Sequence, residues 1–327
     1  MTALGLLAGV LLDRVIPDPR RGHPVAVFGT AAGRLERAMW RDDRGRGVVY
    51  AAALVGSAAL LGIGASRAAT GPKLAAAVAA GTWAVLGGRS LAAEASAVDD
   101  LLRQGDLAAA RQRLTHLVGR RTQHLDEAEI ARAVIESVAE NCSDAVVAPL
   151  FWGAVGGLPG LLAYRAVNTL DAMVGHRSPR YERFGWASAR ADDVANYIPA
   201  RLTALLAATV APLSGGSGRM ALAVWRADGG KHPSPNAGVC ESAYAGALGL
   251  RLGGRNDYGS RIEDRPVLGA GVYGKRGVFG KPARPAAAGD ISRAVRLSRR
   301  VTIAAALACA GIAAISLPIV PLSRRAK

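Results

Sequence analysis

Five stretches of this chain carry no charged residue and are long enough to organise everything between them. They are 48–66, 74–88, 145–164, 202–218 and 301–323, of 19, 15, 20, 17 and 23 residues. At about 1.5 Å of rise per residue, a helix of ~20 residues spans the ~30 Å hydrocarbon core of a bilayer. One such run also suits a buried helix of a large soluble α-domain. Five in one chain predict an all-α, polytopic integral membrane helical bundle, with amphipathic interfacial helices and polar loops, as a single domain over 1–327. Segment 1–12 is apolar too. It lacks a basic start and a small-residue cleavage pattern, so it reads as a partial or tilted span and not as a signal peptide.

The basic residues sort by the same pattern. Strict alternation with 17–47 inside places 29 Lys and Arg inside and 11 outside, as the positive-inside rule requires. That orientation predicts a multi-pass protein of the cytoplasmic (inner) membrane. The misfit is 165–201, whose six arginines fall outside. The segments flanking it carry Gly153, Gly156, Gly157, Pro159 and Gly160 on one side and Pro212, Gly215, Gly216 and Gly218 on the other. Helix breakers at membrane depth are tolerated where backbone lines a protein cavity, so both segments are expected to be broken or re-entrant.

Composition then removes alternatives. Half of the 327 residues are hydrophobic, which excludes disorder. Cys142, Cys240 and Cys309 are too scattered for a disulfide scaffold, and no C-x-x-C spacing supports zinc. The net charge of +16 raises nucleic-acid binding, but the basic residues sit in blocks between apolar runs, without interleaved aromatics. No nucleic-acid partner is expected; the lipid bilayer is.

Three polar blocks carry the candidate chemistry. Segment 101–143 reads helical. Ile130, Val134, Val138 and Cys142 form its apolar stripe, while Glu136, Glu140 and Asp144 share another face at intervals of four. Like charges at that spacing repel, and a cation would relieve them; the alternative is a solvated face. Block 165–201 gathers Arg165, Asn168, Asp171, His176, Arg177, Arg180, Tyr181, Arg190, Asp192, Asp193, Asn196 and Arg201. Arg forks grip phosphate or carboxylate and Asp holds Mg²⁺, so this mix suits a pocket for a charged polyatomic ligand as well as it suits a basic surface loop. Block 219–300 holds Lys231-His232-Pro233-Ser234-Pro235-Asn236, whose prolines present the side chains rigidly, with Asp228 before it and Glu241-Ser242 after it. Segment 269–274 matches G-x-G-x-x-G by letters, but no β-run is read before it, so it is not taken as a dinucleotide fingerprint. The three blocks are expected to converge on one pocket, since one active site cannot use groups on opposite faces of a ~30 Å apolar slab.

In order, these blocks resemble the CobD/CbiB family. The resemblance lies in Leu12-Asp13-Arg14 with Asp18-Pro19 and His23-Pro24-Val25, in Glu136 through Asn141 with Asp144, and in Ala148 through Phe151. It continues in Asn168 through Met173, in Phe184-Gly185 with Ser188-Ala189-Arg190 and Asp192-Asp193, and in Asn196 with Pro199 through Leu202. It ends in Lys231 through Asn236, with Glu241-Ser242 and Ala245 through Leu248. It covers most of 4–275; Cys142 departs from it, standing where the family often has Thr.

The resemblance implies an adenosylcobinamide-phosphate synthase. Such an enzyme joins adenosylcobyric acid, a cobalt-carrying corrinoid, to (R)-1-amino-2-propanol or its O-phosphate, using ATP and Mg²⁺, with no tightly bound cofactor expected. Other corrinoid-pathway enzymes at the membrane are implied as partners. On that reading Glu140, Asp171, Lys231, His232 and Glu241 are candidate catalytic residues, His232 or Glu241 serving as the base. Arg165, Asn168, His176, Arg190, Ser234 and Asn236 are candidate substrate contacts. Glu136, Asp144, Asp192 and Asp193 are candidate metal-side groups. A corrinoid transporter or an AmpE-like membrane signalling protein remains the alternative class.

Overall fold

The computed structural model describes residues 1–19, 21–176, 178–259, 261–271 and 283–315. Helices α1 (Thr2–Val15), α2 (Pro24–Met39), α3 (Arg44–Ala68), α4 (Pro72–Val85), α5 (Gly88–Arg103), α6 (Leu107–Leu114) and α7 (Glu127–Cys142) come first. A π-helical turn over Ser143–Val147 leads into α8 (Ala148–Leu170), and a second closes it over Asp171–Gly175. There follow α9 (Trp186–Ala195), α10 (Tyr197–Val210), α11 (Gly218–Asp228), α12 (Ala237–Leu248), strands β1 (Leu252–Asp257) and β2 (Ile262–Leu268), and α13 (Ala288–Ile315).

Five helical runs among the described residues are long and apolar enough to cross a membrane: Arg44–Ala68, Pro72–Arg103, Glu127–Gly175, Tyr197–Ser214 and Ala288–Ile315. They overlap the five charge-free stretches, and the protein is a helical membrane protein. The 316–323 end of the last expected span lies outside the described residues. Helix α3 buries only Gly47, Tyr50, Ala51 and Gly62, and leaves Leu60 and Leu61 each 68% exposed. Water would make such a surface costly; lipid does not.

The chain forms two compact units, each built from separated stretches. One comprises Met1–Leu86, Pro149–Asp192 and the helix from Ala306 on; the other comprises Gly87–Ala148 and Asp193–Ala305. In the first, α1 lies on α4 through small residues: a Cβ at Gly5 would come within 2.6 Å of the Val78 Cβ. Close backbone approach of this kind is how helices adhere in lipid. At 14 residues α1 reaches ~21 Å, short of the hydrocarbon core. The core of this unit gathers Ala32, Tyr50, Ala51, Leu170, Val174 and Phe184, with the Tyr50 and Phe184 rings 5.1 Å apart.

The expected breaks are present. Within α8, Gly157 adopts φ 62° and ψ −153°, a conformation closed to other residues at ordinary cost, and Pro159 follows it. Helix α10 gives way to a 3₁₀ turn over Ala211–Ser214, which ends on Gly215.

In the second unit, α7 opens on a capping box: Asp126 Oδ1 accepts from the Glu129 N–H (2.8 Å), and Glu129 Oε2 accepts from the Asp126 N–H (3.0 Å). Its stripe of Ile130, Val134, Val138 and Cys142 is buried, as expected. The 101–143 segment, read as helical, holds the end of α5, then α6 and α7. Asp106 accepts from the Ala109 N–H (2.9 Å) and starts a separate α6, and a non-helical stretch separates α6 from α7. All twelve residues of α12 are buried, its Val239, Cys240 and Ala243 packing with Ala200 and Ala204 of α10. Strands β1 and β2 form an antiparallel hairpin, with Gly254 opposite Arg265 and a bulge between Leu252 and Gly254. No strand was expected here, and β2 runs directly up to Gly269. The reading that no β-run precedes the G-x-G-x-x-G letters is therefore wrong, while positions 272–274 of that motif lie outside the described residues.

Candidate active site

Helix α7 presents Ala133, Glu136, Ser137 and Glu140 to a cavity of about 130 Å³ in the second unit. The spacing of three, four and seven puts them on one helix face. Glu241 of α12 closes another wall. Tyr258 and Arg265 of the hairpin and the 117–120 loop, with Arg120, complete the lining.

The three acids of this unit meet different fates. Glu136 Oε2 accepts from Arg120 Nη2 (2.7 Å); its Oε1 accepts from Arg132 Nη1 (3.1 Å) and from the Gly253 N–H (2.7 Å). Arg120 also donates to Asn256 Oδ1, and Arg132 to the Gly253 carbonyl (2.6 Å). Glu136 therefore fastens the hairpin to α7, which corrects its expected role as a metal-side group: two guanidiniums and a backbone N–H already occupy both oxygens. Glu140 is half-buried and lines the cavity.

Glu241 is 1% exposed, and neither carboxyl oxygen has a hydrogen-bond partner among the described residues. Its Oε1 faces His232 Nε2 at 3.9 Å and Arg265 Nη1 at 4.0 Å. Burial, reinforced by the Glu136 and Glu140 carboxylates, pushes the Glu241 carboxyl well above the usual carboxylate range. His232 sits behind it and is not part of the cavity lining. Burial, then Arg265, lowers the imidazole and holds it neutral. The Ser234 N–H donates to His232 Nδ1 (3.0 Å). This bond assigns the neutral ring's proton to Nε2, directed at Glu241.

The Lys231–Asn236 loop is rigid for reasons beyond its prolines. Lys231 Nζ meets Asp228 Oδ1 at 2.5 Å, and the buried Asp228 also accepts from the Gly269 N–H (2.7 Å). Ser234 Oγ accepts from the N–H groups of Asn236 (3.3 Å) and Ala237 (3.2 Å), capping the start of α12. Asn236 Nδ2 donates to the Asp193 carbonyl (2.8 Å), and its Oδ1 accepts from Arg201 Nη1 (3.3 Å). Ser234 and Asn236, expected as substrate contacts, thus spend these polar atoms on building the loop.

The first unit holds the remaining candidates. Arg165 Nη1 donates to Asn168 Oδ1 (3.3 Å), and Asn168 Nδ2 donates to Asp192 Oδ1 (3.4 Å). Asp171 opens the π-turn that ends α8. His176 is exposed and stands edge-on to Tyr181, 5.0 Å between centroids; Arg190 is exposed. Guanidinium, amide and carboxylates in this arrangement have the donor chemistry for phosphate and Mg²⁺. Of the expected metal-side groups, Glu136, Asp144 and Asp193 belong to the second unit and Asp192 to the first. Among the described residues no three His, Cys, Asp or Glu side chains are gathered as for a metal ion. Asp144 lies on the π-turn after α7, and Asp192 and Asp193 belong to different units.

Of the three blocks expected to converge, two meet in the second unit, and no described residue of 165–201 lines their cavity. There the 89–144 and 219–300 blocks share a cavity, and the 193–201 end of the third block is tied to the Lys231–Asn236 loop through Asn236. Arg120, Arg132, Asn256, Tyr258 and Arg265 were not singled out in the sequence. With 36 arginines in the chain, a single Arg carries little signal, and the hairpin has no strong strand alternation.

Comparisons with known proteins agree on one family. The family described as CobD/Cbib protein matches residues 6–298. "Cobalamin biosynthesis protein CobD" of Mycobacterium tuberculosis (strain ATCC 25618 / H37Rv) is 50% identical over 305 residues, 93% of this chain and 94% of that protein. The protein of the same name from Geobacter metallireducens (strain ATCC 53774 / DSM 7210 / GS-15) is 46% identical over 278 residues, covering 82% and 87%. One from Rhodobacter capsulatus is 43% identical over 288 residues, covering 86% of each. No solved structure matches. With the profile spanning almost the whole chain and relatives near half-identical along it, this protein belongs to the CobD/CbiB family.

Proposed function

We propose that the protein acts in cobalamin biosynthesis as an ATP-dependent amide ligase of the cytoplasmic membrane. It joins adenosylcobyric acid to (R)-1-amino-2-propanol or its O-phosphate, giving adenosylcobinamide or its phosphate. A carboxylate is a poor electrophile. ATP first converts the corrinoid's free propionate to an acyl phosphate, releasing ADP; the amine nitrogen then attacks the carbonyl carbon and inorganic phosphate leaves. An alkylammonium sheds two protons on the way to an amide. One passes to a base before attack, and the second leaves with the phosphate.

The single observation that carries this reading is Glu241, a buried carboxyl without a hydrogen bond among the described residues, facing a polar cavity in a chain of this family. A general base works best when its pKa lies near the operating pH, and burial moves Glu241 toward that range. His232, behind it, orients the carboxyl and is a positioning residue. Phosphoryl transfer needs positioning and charge neutralisation. Mg²⁺ arriving on ATP, keeping phosphate and water ligands, supplies part of that neutralisation.

The test is direct. Detergent-purified protein with ATP, Mg²⁺, adenosylcobyric acid and either amine should yield the amide by mass spectrometry. A product that forms equally without ATP, or none with it, refutes the ligase.

A further inference from the structure

We infer that the cavity between α7, α12 and the hairpin is the seat of the small amine substrate, with its ammonium held by Glu140 and Glu241 and its oxygen end by Arg265. The inference rests on the ligase reading and adds to it which substrate fills which space.

Size comes first. A water occupies about 10–15 Å³ of probe-sphere volume, so a cavity of about 130 Å³ takes on the order of ten non-hydrogen atoms. An amino alcohol of about five such atoms, or its phosphate of about nine, matches that space.

Charge comes second. The wall carries the Glu140 and Glu241 carboxyls together with the guanidinium of Arg265, whose Nη2 also pairs with Glu263 Oε2 (3.3 Å), while Glu136 is paired with Arg120 and Arg132. A wall of both signs suits a ligand that is cationic at one end and oxygen-rich at the other. An adenine ring or a corrin would meet the opposite of the apolar lining it needs.

Unmet hydrogen bonding comes third. The Glu241 oxygens and Arg120 Nε are buried without a hydrogen-bond partner among the described residues, and both residues line the cavity. Leaving such groups unsatisfied is destabilising, so a ligand that satisfies them is favoured. An ammonium satisfies the first and a hydroxyl or phosphate oxygen the second. Tyr258 holds Arg265 in place, accepting from its Nη2 at 2.8 Å, and leaves Nη1 toward the cavity side, 4.0 Å from Glu241.

The test separates this assignment from the ligase reading. Hydroxylamine, supplied with ATP, Mg²⁺ and adenosylcobyric acid, traps an acyl phosphate as a hydroxamate without the natural amine, so the wild-type protein reports on activation alone. The cavity is read by equilibrium binding of radiolabelled (R)-1-amino-2-propanol and of its O-phosphate, and by KM for each in turnover. Glu140→Gln is expected to weaken both amines at least tenfold. Arg265→Gln is expected to weaken the phosphate ester more than the alcohol if the ester is the natural ligand, and both equally if the alcohol is. In each variant the KM values for ATP and corrinoid should move less than twofold. Arg265→Lys, which keeps the cation, should recover part of the affinity and shows that loss in Arg265→Gln is not misfolding. Amine affinity unchanged in both Gln variants overturns the assignment, as does a rise in KM for ATP or corrinoid in place of the amine.

Discussion

Replacing Glu136 by Gln tests whether this carboxylate is a structural anchor or a metal ligand. The Arg120 and Glu136 side chains are 5% and 6% exposed, and Arg132 is 13% exposed. Gln keeps one acceptor oxygen but turns an NH₂ toward a guanidinium, leaving Arg120 buried without its counter-charge. Breaking one partner of a buried pair costs about 3–5 kcal/mol. At ~2–4 °C per kcal/mol for a body of this size, the apparent melting midpoint should fall by roughly 10 °C. The hairpin should loosen as well, because Glu136 Oε1 holds the Gly253 N–H. The assay is thermal unfolding in detergent together with limited proteolysis, in which Arg255 and Arg261 become trypsin sites. The double variant Arg120→Met/Glu136→Leu should be more stable than Glu136→Gln, because the charges leave together. A Glu136→Gln protein that melts with the wild type, resists trypsin equally and needs more Mg²⁺ for activity would refute the anchor and restore the metal role.

The other predictions concern function, membrane and pH. Glu140→Gln and Asp171→Asn should each lower kcat/KM by a hundredfold or more at normal expression, measured as amide formed per unit protein; near-wild-type turnover in both would make them surface charges. Carbonate washing should leave the protein in the membrane pellet, and recovery in the wash would contradict the spanning helices. Glu241 has a folded pKa raised above its ordinary value of 4.5, so the stability drawn from its neutral form is complete below about pH 4.5 and is lost as pH rises through the folded value. Glu241→Gln stays neutral and should gain stability relative to wild type as pH rises from 5 to 9; a flat difference in melting midpoint over that range would contradict the buried, raised carboxyl.

The legible features were those encoded in local spacing. A charge-free run of helical length signals a span directly, and Gly157 with Pro159 signals its interruption because no other pair breaks a helix so reliably. The buried stripe of α7 follows from its periodicity. What stayed hidden depends on distance along the chain. Arg120 meets Asn256 across 136 positions, and Arg132 meets the Gly253 carbonyl across 121. No spacing rule joins such residues; only the fold does. The same gap explains Glu136. At intervals of four with Glu140 and Asp144 it reads as part of an acidic face awaiting a cation, and the cations that reach it are guanidiniums. Ser234 and Asn236 mislead for the opposite reason: a Pro-framed polar loop looks like a ligand loop whether its polar atoms bind a ligand or hold the loop together.

The three glutamates of the second unit show how one residue type serves different ends without any change in its chemistry. Each sits on or beside a helix face directed at the same cavity, and three carboxylates crowded there would repel if all were ionised. Glu136 escapes this by pairing with two guanidiniums, which makes it a tether for the hairpin. Glu241 escapes it by burial, which favours the proton-bearing form and holds its carboxyl well above the usual carboxylate range. Glu140 is half-buried and lines the same cavity. The division has a structural condition. The tether must hold for Arg265 and Tyr258 to face Glu241, because both stand on the hairpin that Glu136 fastens. The surroundings of the Glu241 carboxyl therefore depend on an ion pair elsewhere in the cavity wall. Loss of Glu136 is thus expected to reach the chemistry through Arg265, by releasing the guanidinium that now lies 4.0 Å from the Glu241 carboxyl.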